Sequence, residues 1–231
     1  MLPAVVMVVV SAALIVGAAW GVFGRLSDRT EGVVVALAGG ALMVSAVLEL
    51  IEPATRQTSV WVGCAAVLVG AVVFTVADHL VKQRWGRDSG GGLLAAITLD
   101  GVPENLALGV ALIGTGPLGA AALSGSILLS NLPEAAGGAR DMVEDGRSRR
   151  AVMGLWTATA VLLALAALAG NLLLAGVPDD VLAVVRCFAA GAVVGSLATE
   201  VFPKSYREGG YRTGLAVAVG VVVAVLLSSV S

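Results

Sequence analysis

Eight runs of apolar residues, each roughly 19 to 25 long and joined by short connections, leave this chain few ways to fold. They lie at 3–24, 32–51, 59–79, 93–113, 118–140, 151–175, 180–202 and 212–230. A helix needs about 20 residues to cross the hydrocarbon of a bilayer. None of the runs alternates like a barrel strand of about ten residues. In lipid the backbone must satisfy its own hydrogen bonds, so each run is expected to be a helix. The fold class expected is an all-α integral membrane protein, one domain over residues 1–231. Only 13% of residues are charged, about half of what a soluble domain carries. The first run lacks a basic start and is too long for a signal-peptide core, so it reads as a retained span.

Charge placement gives the expected orientation. Arg25, Arg29, Lys82, Arg84, Arg87, Arg140, Arg147, Arg149, Arg150, Lys204, Arg207 and Arg212 fall in or beside the odd-numbered connections. Of the 14 basic residues only Arg56 and Arg186 lie toward the other side. Basic loops stay in the cytoplasm, so both termini are expected outside, in a multi-pass protein of the plasma membrane. The run "RSRR" at 147–150 reads as part of that signal and as a headgroup contact. The net charge of −2 offers no basic field for nucleic acid. Cys64 and Cys187, far apart in apolar sequence, read as small buried hydrophobes.

Acids then appear where lipid should be. Glu49, Asp100, Glu104, Glu134 and Glu200 fall within the runs, with Glu52 and Asp78 near ends that read as solvated. No lysine falls at membrane depth, so the central acids have no obvious side-chain counter-charge. A bare carboxylate at bilayer depth costs at least ~2.5 kcal/mol. A proton, water or a bound cation must compensate.

The acids recur in a pattern. Run four reads "LDGVPENLALG" and run five "LSNLPEAAGG". Asp100 and Glu104 stand i, i+4 on one helix face, and Ser130 and Glu134 repeat that spacing with Asn131 between. Pro103 and Pro133 each free a carbonyl, which must find a partner or line a cavity. Runs two and seven pair likewise: aligning Gly40 with Gly191 sets Glu49 over Glu200, each followed by a proline. The order 2-4 against 7-5 is that of pseudo-symmetric inverted repeats, a transporter architecture with its site at the midplane. No nucleophile triad, phosphate-binding glycine loop or nucleotide motif is present, which argues against an enzyme and against an energy-consuming pump.

These residues resemble the ZIP (Zrt/Irt-like) family of divalent metal transporters. The likeness rests on Pro103-Glu104, Pro133-Glu134 and the Gly-Ala…Glu…Pro patterns of runs two and seven, and on topology over the whole chain. It implies eight spans, outside termini and a metal site between spans four and five. Carried over by position, Asp100 stands where that family usually has histidine, Gly101 where it has asparagine, and Glu104 matches its glutamate. Asn105 replaces the next glycine. Ser130 takes the second histidine or glutamine position, Asn131 the polar position after it, and Glu134 matches. The expected metal ligands are thus Asp100, Glu104, Asn131, Glu134 and Ser130, with Glu49, Glu200 and His79 as candidates for the path.

The histidines of that family are absent, as are its histidine-rich loop and an acid in run six. An all-oxygen donor set favours manganese, magnesium or ferrous iron over zinc, although zinc also accepts carboxylates. The resemblance implies that the divalent ion is cargo moved toward the cytoplasm. The alternative is a cation-binding membrane sensor or scaffold that does not transport. The expected partners are a divalent cation and the lipid bilayer, with a homodimer left open beside a monomer.

Overall fold

The computed structural model describes residues 2–24, 27–85, 90–114 and 121–229. Eight helices follow in chain order: α1 Leu2–Phe23, α2 Asp28–Gln57, α3 Val60–Trp85, α4 Gly90–Ala111, α5 Ala121–Glu144, α6 Arg149–Leu174, α7 Asp179–Gly209 and α8 Arg212–Ser228. Among the described residues there is no strand. Each helix covers most of one apolar run of the sequence; residues 118–120 of run five and 230 of run eight lie outside the described residues. Five of them, α1, α2, α3, α6 and α7, are long and apolar enough to cross a membrane, and α8 is a shorter apolar helix of 17 residues.

Local sequence explains where helices start and stop. Ser27 caps α2, its hydroxyl accepting the Thr30 N–H at 3.2 Å, and Ser148 caps α6 through the Ala151 N–H at 3.3 Å. Gly146, at φ +89°, ends α5: the Arg147 N–H returns to the Met142 carbonyl and the Gly146 N–H to that of Val143.

α2 and α7 run past the ends expected for them, through Pro53 and Pro203. In each, a π-helical stretch precedes the proline: Ala46–Ile51 in α2 and Leu197–Val201 in α7. The wider turn takes up the change of hydrogen-bond register that a residue without an N–H would otherwise impose as a break. Glu49 and Glu200 lie within these two stretches.

Small residues set the packing, as lipid gives apolar side chains no drive to leave it. α2 meets α8 at Gly40, which lies against the Val217 carbonyl, and at Gly220, which lies against that of Leu37. α7 meets α3 in the same reciprocal way, Gly191 on the Val67 carbonyl and Gly70 on that of Phe188. A Cβ at any of the four would overlap a carbonyl oxygen. α1 lies along α5, and α4 along α6. α2, α4, α5 and α7 contribute most of the interior, including Leu42, Leu108, Ile127 and Val193. α3 and α8 turn Trp61, Leu68, Leu215 and Leu226 outward, as helices facing lipid do.

Two expectations about side chains are corrected. Cys64 is exposed on α3 while Cys187 is buried, because α3 presents much of its apolar surface outward. Asp78 is a buried residue rather than a solvated end, for a reason given below.

Candidate cation site and its flanking charges

The Pro-Glu segments of α4 and α5 meet at one place on α1. Asn105, next to Glu104, accepts a hydrogen bond on Oδ1 from the Ser11 hydroxyl at 3.4 Å and donates through Nδ2 to the Gly101 carbonyl at 2.9 Å. Asn131 of α5 donates through Nδ2 to the Val10 carbonyl at 3.2 Å. Val10 and Ser11 are consecutive residues in the middle of α1. Alongside, Ser126 of α5 shares a 3.1 Å hydrogen bond with Ser45 of α2. Ser11, Ser45, Asn105, Ser126 and Asn131 are all buried and form a polar layer inside the bundle.

The candidate ligands stand around this layer. Glu104 is buried, at 3% exposure, and Ser130 is buried one residue before Asn131. Glu134 is half-buried one turn further along α5. Asp100 is part of α4, one turn before Glu104, but its side chain lies outside the described residues. Pro103 and Pro133 both sit inside helices that continue beyond them. Among the described residues no three His, Cys, Asp or Glu side chains converge as a ready metal cage.

The candidate path residues have other partners. Both oxygens of Glu49 lie 3.1 Å from the Leu123 amide in the first turn of α5, so this acid satisfies an N–H that the helix leaves free and complements its dipole. Glu200 is ion-paired with Lys82 of α3, and Lys82 also holds Asp78 at 2.7 Å. That pairing is why Asp78 is buried. His79 is exposed, with a 2.8 Å hydrogen bond to Gln83, and it does not join Glu200.

Sequence reasoning missed a third group, at the same end of the bundle as the basic loops. Glu31, in the first turn of α2, is fully buried against the Gly137 backbone of α5, one turn from Glu134. Lys204 of α7 reaches it at 2.8 Å and Arg140 of α5 at 3.5 Å. Arg140 also holds Asp28 at 2.7 Å and Asp141 at 3.1 Å. Lys204 lies within electrostatic reach of Glu134 and Glu208 as well. The expectation that the central acids lack counter-charge therefore fails at Glu134 and Glu200. Long lysine stems carry charge inward from the helix ends. The one sequence signal was the PEAAGGAR stretch, which places Arg140 two turns along α5 from Glu134; it reads first as topology.

At the opposite end, buried Arg186 of α7 donates to the carbonyls of Ile113 at 3.2 Å and Val110 at 3.5 Å. It closes the C-terminal end of α4, where a cation is favoured. Fold and composition together define a multi-pass helical membrane protein. No protein-family model matches the chain, and a search of curated proteins returns no match.

Proposed function

We propose that this protein is a carrier of divalent cations, a divergent relative of the ZIP family that moves its cargo toward the cytoplasm. The observation that carries the reading is the meeting of the two Pro-Glu segments, through Asn105 and Asn131, on consecutive residues of α1. It puts Glu104 and Glu134 beside one buried polar layer in a bundle of otherwise apolar helices. Glu104 and Glu134 are the primary ligands, with Asp100, Ser130 and the oxygen of Asn131 completing the shell. Protonation of these acids helps the ion leave. The donors are oxygen throughout, so the cargo is a hard or borderline ion: manganese, magnesium or ferrous iron before zinc.

An inverted-repeat architecture supports the same reading. Gly40, Leu37 and Glu49 of α2 lie about 150 residues before Gly191, Phe188 and Glu200 of α7, and Val67 and Gly70 of α3 stand in the same relation to Val217 and Gly220 of α8. The carbonyl-to-glycine contacts and the π-helical stretches both follow that offset. In such proteins the cargo site lies near the midplane, where the repeats meet.

Uptake of manganese, magnesium, ferrous iron and zinc into proteoliposomes is the direct test. Wild type is expected to show saturable uptake of at least one ion, and Glu104→Ala to fall to the level of empty liposomes. Equal flux through Glu104→Ala would remove the site assignment. One observation favours a binding protein without transport: the Asn131 amide nitrogen is committed to the Val10 carbonyl of α1. That reading gives metal-dependent thermal stabilisation with no flux, and saturable uptake overturns it.

A further inference from the structure

The group formed by Glu31, Lys204 and Glu134 is not explained by a simple ion pair. The Glu31 carboxylate is 1% exposed, lies on the Gly137 backbone, and neither oxygen has a hydrogen-bond partner of good geometry. Its compensation comes from cations, Lys204 at 2.8 Å and Arg140 at 3.5 Å. The two cations differ. Arg140 spreads its guanidinium over Asp28, Asp141 and Glu144 at the surface, within 4 Å of each. Lys204, 29% exposed at its side chain, is ion-paired with Glu31 and has Glu208 and Glu134 within electrostatic reach. Glu134 itself accepts no hydrogen bond from the described residues.

The chain delivers Lys204 there by construction. α7 widens into its π-helical stretch at Leu197–Val201, turns through Pro203, and presents Lys204 on the next residue, four after Glu200. Glu200 does not take Lys204; it is occupied by Lys82. The Lys204 ammonium is left for Glu31 of α2, with Glu208 and Glu134 in reach. A lysine is a compact point charge on a flexible stem with three donors, suited to exchange places with a cation, whereas arginine holds a fixed fork.

We propose that Lys204 is a tethered counter-ion: its ammonium occupies the cytoplasmic end of the cation path on Glu31, within reach of Glu134, is displaced by the arriving divalent ion, and returns to drive that ion off. The proposal rests on the carrier reading for its purpose but not for its chemistry, since competition between an ammonium and a divalent ion for the same carboxylates is a matter of binding. It assigns Lys204 a positioning and release role.

The experiment uses the full chain purified in detergent and reconstituted in liposomes, with Mn2+ as probe. Mn2+ binding is read from the concentration that half-saturates thermal protection, and transport from uptake. Lys204→Met is expected to bind Mn2+ at least about tenfold more tightly than wild type, because two carboxylates lose their internal competitor. Its maximal uptake rate is expected to fall, because release loses its driving charge. Lys204→Arg keeps the charge and should stay near wild-type affinity. The double variant Glu31→Gln with Lys204→Met removes one charge of each sign and covers the case in which the single variant does not fold. It too should bind more tightly than wild type through Glu134. A purely structural Lys204 gives a less stable protein with unchanged Mn2+ affinity, and that result, in either folded variant, overturns the proposal. If the affinity order holds and no form takes up Mn2+, the tethered counter-ion stands and the carrier reading falls. If uptake is present and affinity does not move, the reverse holds. If no form binds Mn2+, the proposal falls, and the carrier reading is decided by uptake of the other ions of the panel.

Discussion

At the scale of single residues the most consequential acid is the one the sequence hides. Glu31 immediately precedes the second apolar run, yet its side chain is 1% exposed. Lys204, its closest partner, is 29% exposed at the side chain. The asymmetry decides what each deletion costs. Without Lys204, a buried carboxylate keeps only Arg140 at 3.5 Å, and uncompensated buried charge is expensive. Without Glu31, Lys204 can reach water and still has Glu208 and Glu134 in range. Lys204→Met is therefore expected to lower stability by about 3 kcal/mol and Glu31→Gln by about 1 kcal/mol, with the double variant closer to wild type than their sum. Thermal unfolding of the three proteins in one detergent checks this, and equal losses for the two single variants would refute it. The sequence shows which residues are acidic and where hydrocarbon begins. It does not show that Lys204, set beyond Pro203, folds back toward α2 and α5, because that depends on the turn of α7 and on α2 lying alongside.

At the scale of elements, the eight helices are legible because hydrocarbon thickness is a ruler that apolar runs must match. Their ends are less so, since a helix continues past the hydrocarbon until a cap such as Ser27 or a glycine such as Gly146 stops it. The π-helical stretches of α2 and α7 are illegible for another reason: AVLELI and LATEV are ordinary helical sequence, and the widening depends on the proline that follows. The glycines are half legible. Thirty of them suggest close helix contacts, but only the packing separates those that bear a contact from those that do not. Gly40 and Gly191 lie on carbonyls of α8 and α3, while Gly154 of α6 is exposed with nothing near it. Gly40→Ala and Gly191→Ala are each expected to cost about 1–3 kcal/mol through overpacking, and by similar amounts if the two contacts are related by the repeat. Gly154→Ala should be neutral or stabilise by up to about 1 kcal/mol, since alanine is the better helix former. Unfolding of the three variants separates contact from composition; a Gly154→Ala loss matching Gly40→Ala would show that the contacts are not what the glycines serve.

At the scale of the whole molecule, the two ends of the bundle carry different chemistry, and orientation decides what that difference does. One end holds Lys82 with Asp78 and Glu200, and Lys204 and Arg140 with Glu31. The other holds Glu49 on the first turn of α5 and Arg186 on the last carbonyls of α4, charges spent on helix termini. Under the proposed orientation, with the basic loops inside, the lysine-rich end faces the cytoplasm. A membrane potential negative inside then favours inward movement of a cation by about 2.3 kcal/mol per charge for each 100 mV, twice that for a divalent ion. The cargo would arrive at Lys204 last, where an ammonium can replace it, so a carrier of the opposite orientation would meet its release charge first. Orientation is checked in intact cells with a membrane-impermeant thiol reagent, after exposed Cys64 and buried Cys187 are replaced by alanine. A cysteine at Ser59, between α2 and α3, is expected to label from outside, and one at Ser148, between α5 and α6, only once the membrane is opened. The opposite pattern would put both termini in the cytoplasm and turn the potential against uptake; it would leave the packing of the eight helices as described but reverse the direction assigned to the path.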